Sequence, residues 1–327
     1  MNNPIKTIGV FTSGGDAPGM NAAIRAVVRT ALYNKIEVVG ICRGYEGMID
    51  GEFIRLESHS VSNIIQRGGT FIKTARSERF HTAQGRKQAY ENIKKENIDA
   101  IIAIGGDGTF RGALAFNQEY NTPIVGIPGT IDNDLFGTDF TIGYDTAINT
   151  VVEAVDKIRD TAGSHDMLFF IEVMGRDAGF IALRSGIAVG AEDILVPETT
   201  TRVEDLVNKL RFDRRNNKTS GIIIVSEGDD LGGAYKVAEQ VKMKCPEFQT
   251  RVTVLGHVQR GGNPSCMDRV LSSTMGYEAV LALLDGKSGV MVGIINKQIA
   301  LTSFEKATKH HQEINKEMLE MARILSL

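Results

Sequence analysis

Two short runs hold the residue types that phosphoryl chemistry needs: Gly105-Gly106-Asp107-Gly108-Thr109 and Pro128-Gly129-Thr130-Ile131-Asp132-Asn133-Asp134. Glycines leave backbone N–H groups bare for phosphate oxygens, a single carboxylate suffices to help hold a magnesium ion, and a carboxylate pair spaced i, i+2 can add a proton acceptor. The transition state of such a transfer needs placement and charge neutralisation more than covalent help. Strand-to-helix turns of any α/β protein also use Gly for geometry and Asp or Thr for capping. Capping alone requires neither TIDND nor two loops of this richness.

Both runs follow apolar stretches, 99–104 and 123–127, that read as strands, so the two loops leave the same edge of a parallel sheet, where open α/β sheets bind ligands. The pattern repeats along the chain. A buried strand over 5–11 opens into Thr12-Ser13-Gly14-Gly15-Asp16-Ala17-Pro18-Gly19 and a helix over 20–33, an anion site by backbone geometry. No Walker lysine follows, and Gly286-Lys287-Ser288 lacks the upstream glycine because Leu281 stands there, so it reads as a turn. Arg25 and Arg29 are spaced i, i+4 and project together, as a solvated face or a phosphate site. A strand over 36–41 leads to residues 43–47, read as a turn in which Tyr45 is poorly buried, as a plain surface tyrosine or one that stacks on a base, and then to a hairpin strand over 53–56. The run 67–76 is irregular, basic and glycine-rich, as ligand-contacting loops are. Helices over 83–96 and from the GGDGT loop to 119 flank the strand that ends at Ile104.

Apolar residues at 148, 151, 152, 155 and 158 predict a helix over 144–161 and the start of a second lobe. Its strands at 168–173, 194–196, 221–226 and 251–255 alternate with helices, one after 174–179 and others over 203–211 and 234–244. Two of its loops are again glycine-rich, Met174 to Gly179 with Arg176, and Gly256 to Gly262, where His257, Gln259 and Arg260 converge on one exposed turn. A helix over 265–284, a strand over 290–294 and a helix over 312–325 complete the chain.

Composition narrows the function classes. The chain has 327 residues, 42% hydrophobic, enough for one large or two ordinary cores, and no low-complexity linker separates two lobes. A net charge of −3 argues against a nucleic-acid footprint, so anionic ligands must be gathered by local arginines. No run of 18 apolar residues and no leader-like N-terminus occurs, which points to a soluble cytoplasmic protein with no membrane partner. Cys42, Cys245 and Cys266 have no metal-type spacing and read as reduced, buried thiols.

TSGGDAPGMNAAIR at 12–25, GGDGT at 105–109, PGTIDND at 128–134, EVMGRDAG at 172–179 and GHVQRGG at 256–262 resemble, in order and spacing across essentially the whole chain, the bacterial ATP-dependent 6-phosphofructokinases. GGDGT alone is weak, since NAD and lipid kinases carry similar loops; PGTIDND with MGR and HVQRGG is specific. The resemblance implies two Rossmann-like three-layer αβα lobes with largely parallel sheets: an ATP lobe, 1–143 plus 259–308, and a sugar-phosphate lobe, 144–258 plus 309–327. It implies Mg²⁺-dependent transfer of the γ-phosphoryl of ATP to the 1-hydroxyl of fructose 6-phosphate, with Asp132 as general base and Asp107 as the Mg²⁺ ligand. Thr130, Arg176, Gly15 and Arg76 complete the catalytic set, and Gly15, Tyr45, Arg76, Ser77, Gly106, Asp107, Gly108 and Thr109 form the nucleotide set. Thr130, Ile131, Asp132, Met174, Gly175, Arg176, Glu227, Arg251, His257, Val258, Gln259 and Arg260 match the sugar-phosphate set. Arg251 would reach the 6-phosphate from a neighbouring subunit of a homotetramer. An effector site between subunits would use Arg25, Arg29, Arg159, Glu192 and Lys218.

The chain departs from that pattern at Met167, where a second phosphate-binding arginine is expected, and at Ser58 and Asn216, which replace an effector-site arginine and lysine. Pyrophosphate-using relatives carry Asp at the position of Gly108 and Lys at that of Gly129; the two glycines point to ATP. The alternatives are a pyrophosphate-dependent or other sugar-phosphate kinase of this fold, and a catalytically silent sensor, against which the presence of both Asp107 and Asp132 argues.

Overall fold

A computed structural model describes residues 5–216 and 220–326. The chain forms two compact units, the first made of 1–131, 135–146 and 260–312, the second of 132–134, 147–259 and 313–327.

The first unit is built on a seven-stranded sheet in the order β11-β10-β5-β4-β1-β2-β3. β1 (Thr7–Ser13), β2 (Glu37–Ile41), β4 (Ala100–Gly105), β5 (Ile124–Pro128) and β10 (Val290–Ile295) are parallel, and β3 (Phe53–Leu56) and β11 (Gln298–Ser303) close the two edges antiparallel. β1, β4 and β5 are buried along their whole length, the signature of strands covered on both faces. Strand order reverses between β1 and β4, so the TSGG and GGDGT loops leave neighbouring strands at the switch point, the place where open α/β sheets take ligands. The hairpin strand β11 has no counterpart in the sequence reading. Its turn residues Asn296 and Lys297 both adopt positive φ, and Lys297 gives no composition signal for that.

Helices α1 (Met20–Tyr33), α3 (Ala83–Lys95), α4 (Asp107–Tyr120) and α9 (Cys266–Leu284) flank the sheet near where the periodicity places them. Residues 44–50 are instead a helix, α2 (Gly44–Asp50), and a further short helix α10 (Phe304–Lys309) follows β11. α5 (Tyr144–His165) runs four residues beyond its predicted end. Its first turn is held by the buried Asp268, whose carboxylate accepts from Gly143 N (2.8 Å), Thr146 N (2.8 Å) and Thr146 Oγ1 (2.5 Å). Gly286, at φ 73°, ends α9, and Ser288 Oγ accepts from Asn117 Nδ2 and Ile124 N, so Gly286-Lys287-Ser288 is a structural turn.

The second unit has a four-stranded parallel sheet, β7-β8-β6-β9, from β6 (Met167–Val173), β7 (Asp193–Leu195), β8 (Gly221–Ser226) and β9 (Gln249–Val254). α6 (Phe180–Ala188), α7 (Val203–Arg215), α8 (Ala234–Lys244) and α11 (Lys316–Leu325) accompany it. The loops after β8, β6 and β9 again leave adjacent strands at one sheet edge. No helix among the described residues is long and apolar enough to cross a membrane. Only Cys245 is a buried thiol; Cys42 is half-buried and Cys266 exposed, because α9 turns that position outward.

Candidate active site

In the first unit, α4 begins at Asp107, inside the GGDGT run, and its cap residue Gly106 offers no side chain to the helix N-terminus. The first N–H groups of that helix are therefore left for an anion, with the helix dipole behind them. Thr109 is buried and its Oγ1 donates to Ser13 O at 3.1 Å, tying the helix start to the end of β1. A Cβ placed on Gly108 would meet nothing within 4 Å, so packing of the chain does not require glycine there. At Gly129 a Cβ would crowd Met20 and Ile104 at 3.0 and 3.1 Å, so part of the reason for that glycine is the core. The Asp107 carboxylate is ion-paired with Arg111, one turn along α4, at 3.0 Å.

Gly15 has a different role. A Cβ there would come within 2.6 Å of an Arg260 guanidinium nitrogen, so glycine permits the arginine to lie against the backbone. Arg260 Nε is buried without a hydrogen-bond partner, and the side chain is a cation held at the TSGG loop. The 67–76 segment docks beside it. Gly14 N donates to Ala75 O (3.4 Å), Thr74 Oγ1 to Gly14 O (3.0 Å) and Thr12 Oγ1 to Lys73 O (3.0 Å).

Asn21 clamps the other end of that segment. Its Nδ2 donates to Arg67 O and Gly68 O, both at 3.1 Å, and its Oδ1 accepts from Phe71 N at 2.9 Å. The sequence reading missed it, although a lone amide among Ala22, Ala23 and Ile24 at the buried start of α1 is a visible signal. Arg76 is exposed at the end of the segment, and Ser77 is half-buried.

Tyr45 differs from expectation. It lies in α2 with 6% exposure, its ring stacked on Phe80 (centroids 3.9 Å apart) and tilted against Phe11, and its hydroxyl donates to Thr109 O at 2.6 Å. Burial pushes the phenol far above its ordinary range. The residue supports the GGDGT helix from beneath and presents no face to a base. Thr130 is half-buried, its carbonyl accepting from Thr141 Oγ1 at 2.6 Å, and Ile131 is buried. Arg25 and Arg29 share one face of α1, and partial burial with the neighbouring Arg29 charge pulls the Arg25 pKa below its ordinary value.

In the second unit, Asp132 is 6% exposed, and the more open Arg176 stands with Nε 4.0 Å from Asp132 Oδ2. Arg176 has φ 53°, a left-handed backbone costing about 1–2 kcal/mol in a non-glycine residue. Two features hold it there. Glu227 Oε1 accepts from Arg176 N at 2.8 Å, and a Cβ on Gly228 would stand 1.9 Å from Arg176 O. Glu227 thus shapes the MGR loop, while Met174 and Gly175 form its buried base.

His257 and Val258 are exposed on a short 3₁₀ helix over Gly256–Arg260. Gln259 is fully buried, contrary to the exposed turn expected. Its Oε1 accepts from Met174 N at 3.2 Å and its Nε2 donates to Gly256 O at 3.0 Å, so it joins two loops. Arg251 is exposed on β9 opposite Phe169, and Met167 begins β6 two pairs earlier, on the same sheet face.

Of the remaining effector-set residues, Arg159 donates to Val189 O and Gly190 O, capping the end of α6, and Glu192 is 5% exposed with Oε2 accepting from Ile222 N. Lys218 lies outside the described residues. Asn216 ends α7, and Ser58 O accepts from Ser62 Oγ in an exposed turn.

The family model described as phosphofructokinase matches residues 7–283. A protein of Bacteroides thetaiotaomicron named ATP-dependent 6-phosphofructokinase 2 is 52% identical over 323 residues, 99% of each chain. One of Thermus thermophilus named ATP-dependent 6-phosphofructokinase 1 is 53% identical over 323 residues, 99% of this chain and 100% of the other. Among solved structures, phosphofructokinase of Saccharomyces cerevisiae superposes with a TM-score of 0.88 at 37% identity, covering 93% of this chain and 45% of that one, so the chain spans just under half its length. With a family match over most of its residues and half-identical relatives from end to end, the chain belongs to the phosphofructokinase family.

Proposed function

We propose that the protein is an ATP-dependent 6-phosphofructokinase, transferring the γ-phosphoryl of ATP to the 1-hydroxyl of fructose 6-phosphate in the cytoplasm. The observation that carries the donor choice is the start of α4: an uncapped helix N-terminus at the switch point, with Asp107 in its first turn and open space around Gly108. A glycine that packing does not demand leaves room for a nucleotide's phosphates, and an aspartate there would fill and repel that room. The names of the half-identical relatives support the same activity.

Asp132 takes the proton from the attacking hydroxyl. Its burial keeps competing water away, and Arg176 is the cation at hand for charge developing beside it. Arg76 and the N–H groups of the α4 start neutralise the nucleotide's phosphates. No group of three metal-ligating side chains exists among the described residues, which suits Mg²⁺, a cation that keeps its waters and shares phosphates with one or two carboxylates. Asp107 would hold it after release from Arg111, and the ion would neutralise phosphate charge. The first unit thus serves the nucleotide and the second the sugar phosphate, with the finer bounds 1–143 plus 259–308 and 144–258 plus 309–327. Met174, Gly175, Arg176, Glu227, His257 and Val258 surround the sugar, with Gln259 bracing their loops. Arg251 acts from a neighbouring subunit of a homotetramer.

Product formation is followed with ATP, GTP and pyrophosphate against several sugar phosphates, with and without Mg²⁺. Mg²⁺-dependent ADP release with fructose 6-phosphate is the expected result. Equal or faster turnover with pyrophosphate overturns the donor assignment, and no turnover with any pair overturns the activity.

A further inference from the structure

Glu46 is used by neither the transfer chemistry nor any motif, yet it stands at the centre of a charged network beneath the 74–80 segment. Its two carboxylate oxygens accept from two different residues of that segment: Oε2 from Ser77 Oγ, and Oε1 from Arg79 Nε at 2.7 Å. Ser77 Oγ in turn accepts from Phe80 N at 3.2 Å, and Phe80 is the ring stacked on Tyr45, the residue beside Glu46 in α2. Arg79 NH2 donates to Asp50 Oδ1 at 2.8 Å, Arg43 NH2 to Asp50 Oδ2 at 3.0 Å, and Arg43 also pairs with Glu52 at 2.6 Å. Glu46 and Asp50 therefore tie α2, through Ser77 and Arg79, to one short arc of chain about thirty residues away, and Arg43 braces Asp50 from the other side.

The network divides the two arginines of Thr74-Ala75-Arg76-Ser77-Glu78-Arg79. Arg79 has its charge met by Glu46 and Asp50, while Arg76 is exposed and no ion pair joins it to a carboxylate among the described residues. The segment is also fixed from the opposite side, through Ala75 and Thr74, to the TSGG loop. A single isolated ion pair at this exposure would contribute little, but a carboxylate bridging two residues of one segment restricts that segment directly, whatever the pair is worth. We infer that Glu46 is a positioning residue for the nucleotide: by holding Ser77 and Arg79 it fixes the arc that presents Arg76 to the donor's phosphates. The inference rests on the ATP reading of this site.

Two readouts test it, one independent of activity. In the ligand-free full-length protein, amide exchange across 74–80 should accelerate at least about fivefold in Glu46→Ala, with the β1 and β4 amides unchanged. In steady state the same variant should raise KM for ATP about tenfold, leaving KM for fructose 6-phosphate and kcat within about twofold. Glu46→Gln, which can still accept from Ser77 but carries no charge for Arg79, should fall between parent and Glu46→Ala in both. Should Glu46→Ala fail to fold, Glu46→Gln and Arg79→Gln carry the test alone. Unchanged exchange across 74–80 overturns the proposal. Faster exchange with an unchanged KM for ATP shows that the arc is anchored but does not serve the nucleotide, which overturns the proposal through its premise. A uniform fall in kcat with both KM values unchanged also overturns it, as the mark of general damage.

Discussion

Asp132 and Arg176 stand 4.0 Å apart, one buried and one open, and the division of labour between them gives the sharpest expectation at the level of single residues. Asp132→Asn preserves shape and removes the proposed proton acceptor, so kcat should fall by about 10²- to 10⁴-fold with the affinity for ATP little changed. Single-turnover rates with ATP binding measured separately check this; retention of most of kcat would assign the base elsewhere. Met167 offers a test of opposite sign. It lies on the same sheet face as Arg251, two pairs away, so Met167→Arg would add a second cation to that face. A charge-assisted hydrogen bond to phosphate is worth about 1.5–3 kcal/mol, and the half-saturation concentration for fructose 6-phosphate should drop accordingly. Unchanged or weaker binding by a folded variant would refute a phosphate contact from this face. Both residues were legible without coordinates, since each occupies a fixed place in a motif or in a run that resembles the family. Tyr45 and Gln259 were not. Glycine neighbours made both look exposed, and burial is a property of what packs on top.

At the level of elements, the staple between α5 and α9 decides more than its residues suggest. Asp268 accepts three hydrogen bonds from the start of α5 and has its own N–H accepted by the helix cap Ser265. Asp268→Asn turns one acceptor edge into a donor facing Thr146 or Gly143, and an unsatisfied buried donor costs about 1–3 kcal/mol. Chemical denaturation should show that loss at neutral pH. The pH dependence has a definite sign. Burial raises the Asp268 pKa in the folded state, against the opposing pull of Thr146 and the two amides. Between the ordinary carboxylate value and that raised one the native state binds more protons than the unfolded state, so this group's contribution to stability grows as pH falls through the window. The stability difference between parent and Asp268→Asn should therefore widen toward acid pH; a constant difference would show that Asp268 does not titrate there. Sequence patterning located α1, α3, α8 and α9 closely. It missed α2, β11 and α10, since these are short and their stability comes from the sheet edges and loops they cover.

For the whole molecule, the charges of the proposed effector set bear on regulation. Arg25 and Arg29 form a cationic pair on α1, but Arg159 is engaged with the carbonyls at the end of α6, and the Glu192 carboxylate is buried against the start of β8. Ser58 and Asn216 are uncharged at the two positions where the resemblance implies further cations, which leaves less charge to favour one state over another. An effector shifts an equilibrium only by its difference in affinity for the two states, so the shift in half-saturation for fructose 6-phosphate on adding ADP or phosphoenolpyruvate should stay near or below about fivefold. Titration at fixed ATP measures it. A shift well above about tenfold that Arg25→Ala abolishes would mean that these residues form a full-strength switch.

The order of strands and glycine loops, the two acid-bearing runs and the family membership could all be read from the chain alone. They depend on neighbours a few residues apart: β-branched runs, glycines that admit tight turns, and carboxylates at fixed spacing. Tertiary structure alone decided which of several like residues is free to act. It gave Arg79 to Glu46 and Asp50 and left Arg76 open, buried Gln259 between two loops while leaving His257 exposed, and set Asn21 and Asp268 as clamps for loops far away in sequence. A charge or a hydrogen-bonding group is committed by whichever partner the fold brings to it, and the partners that tie distant segments here lie as far as 125 positions away in the chain.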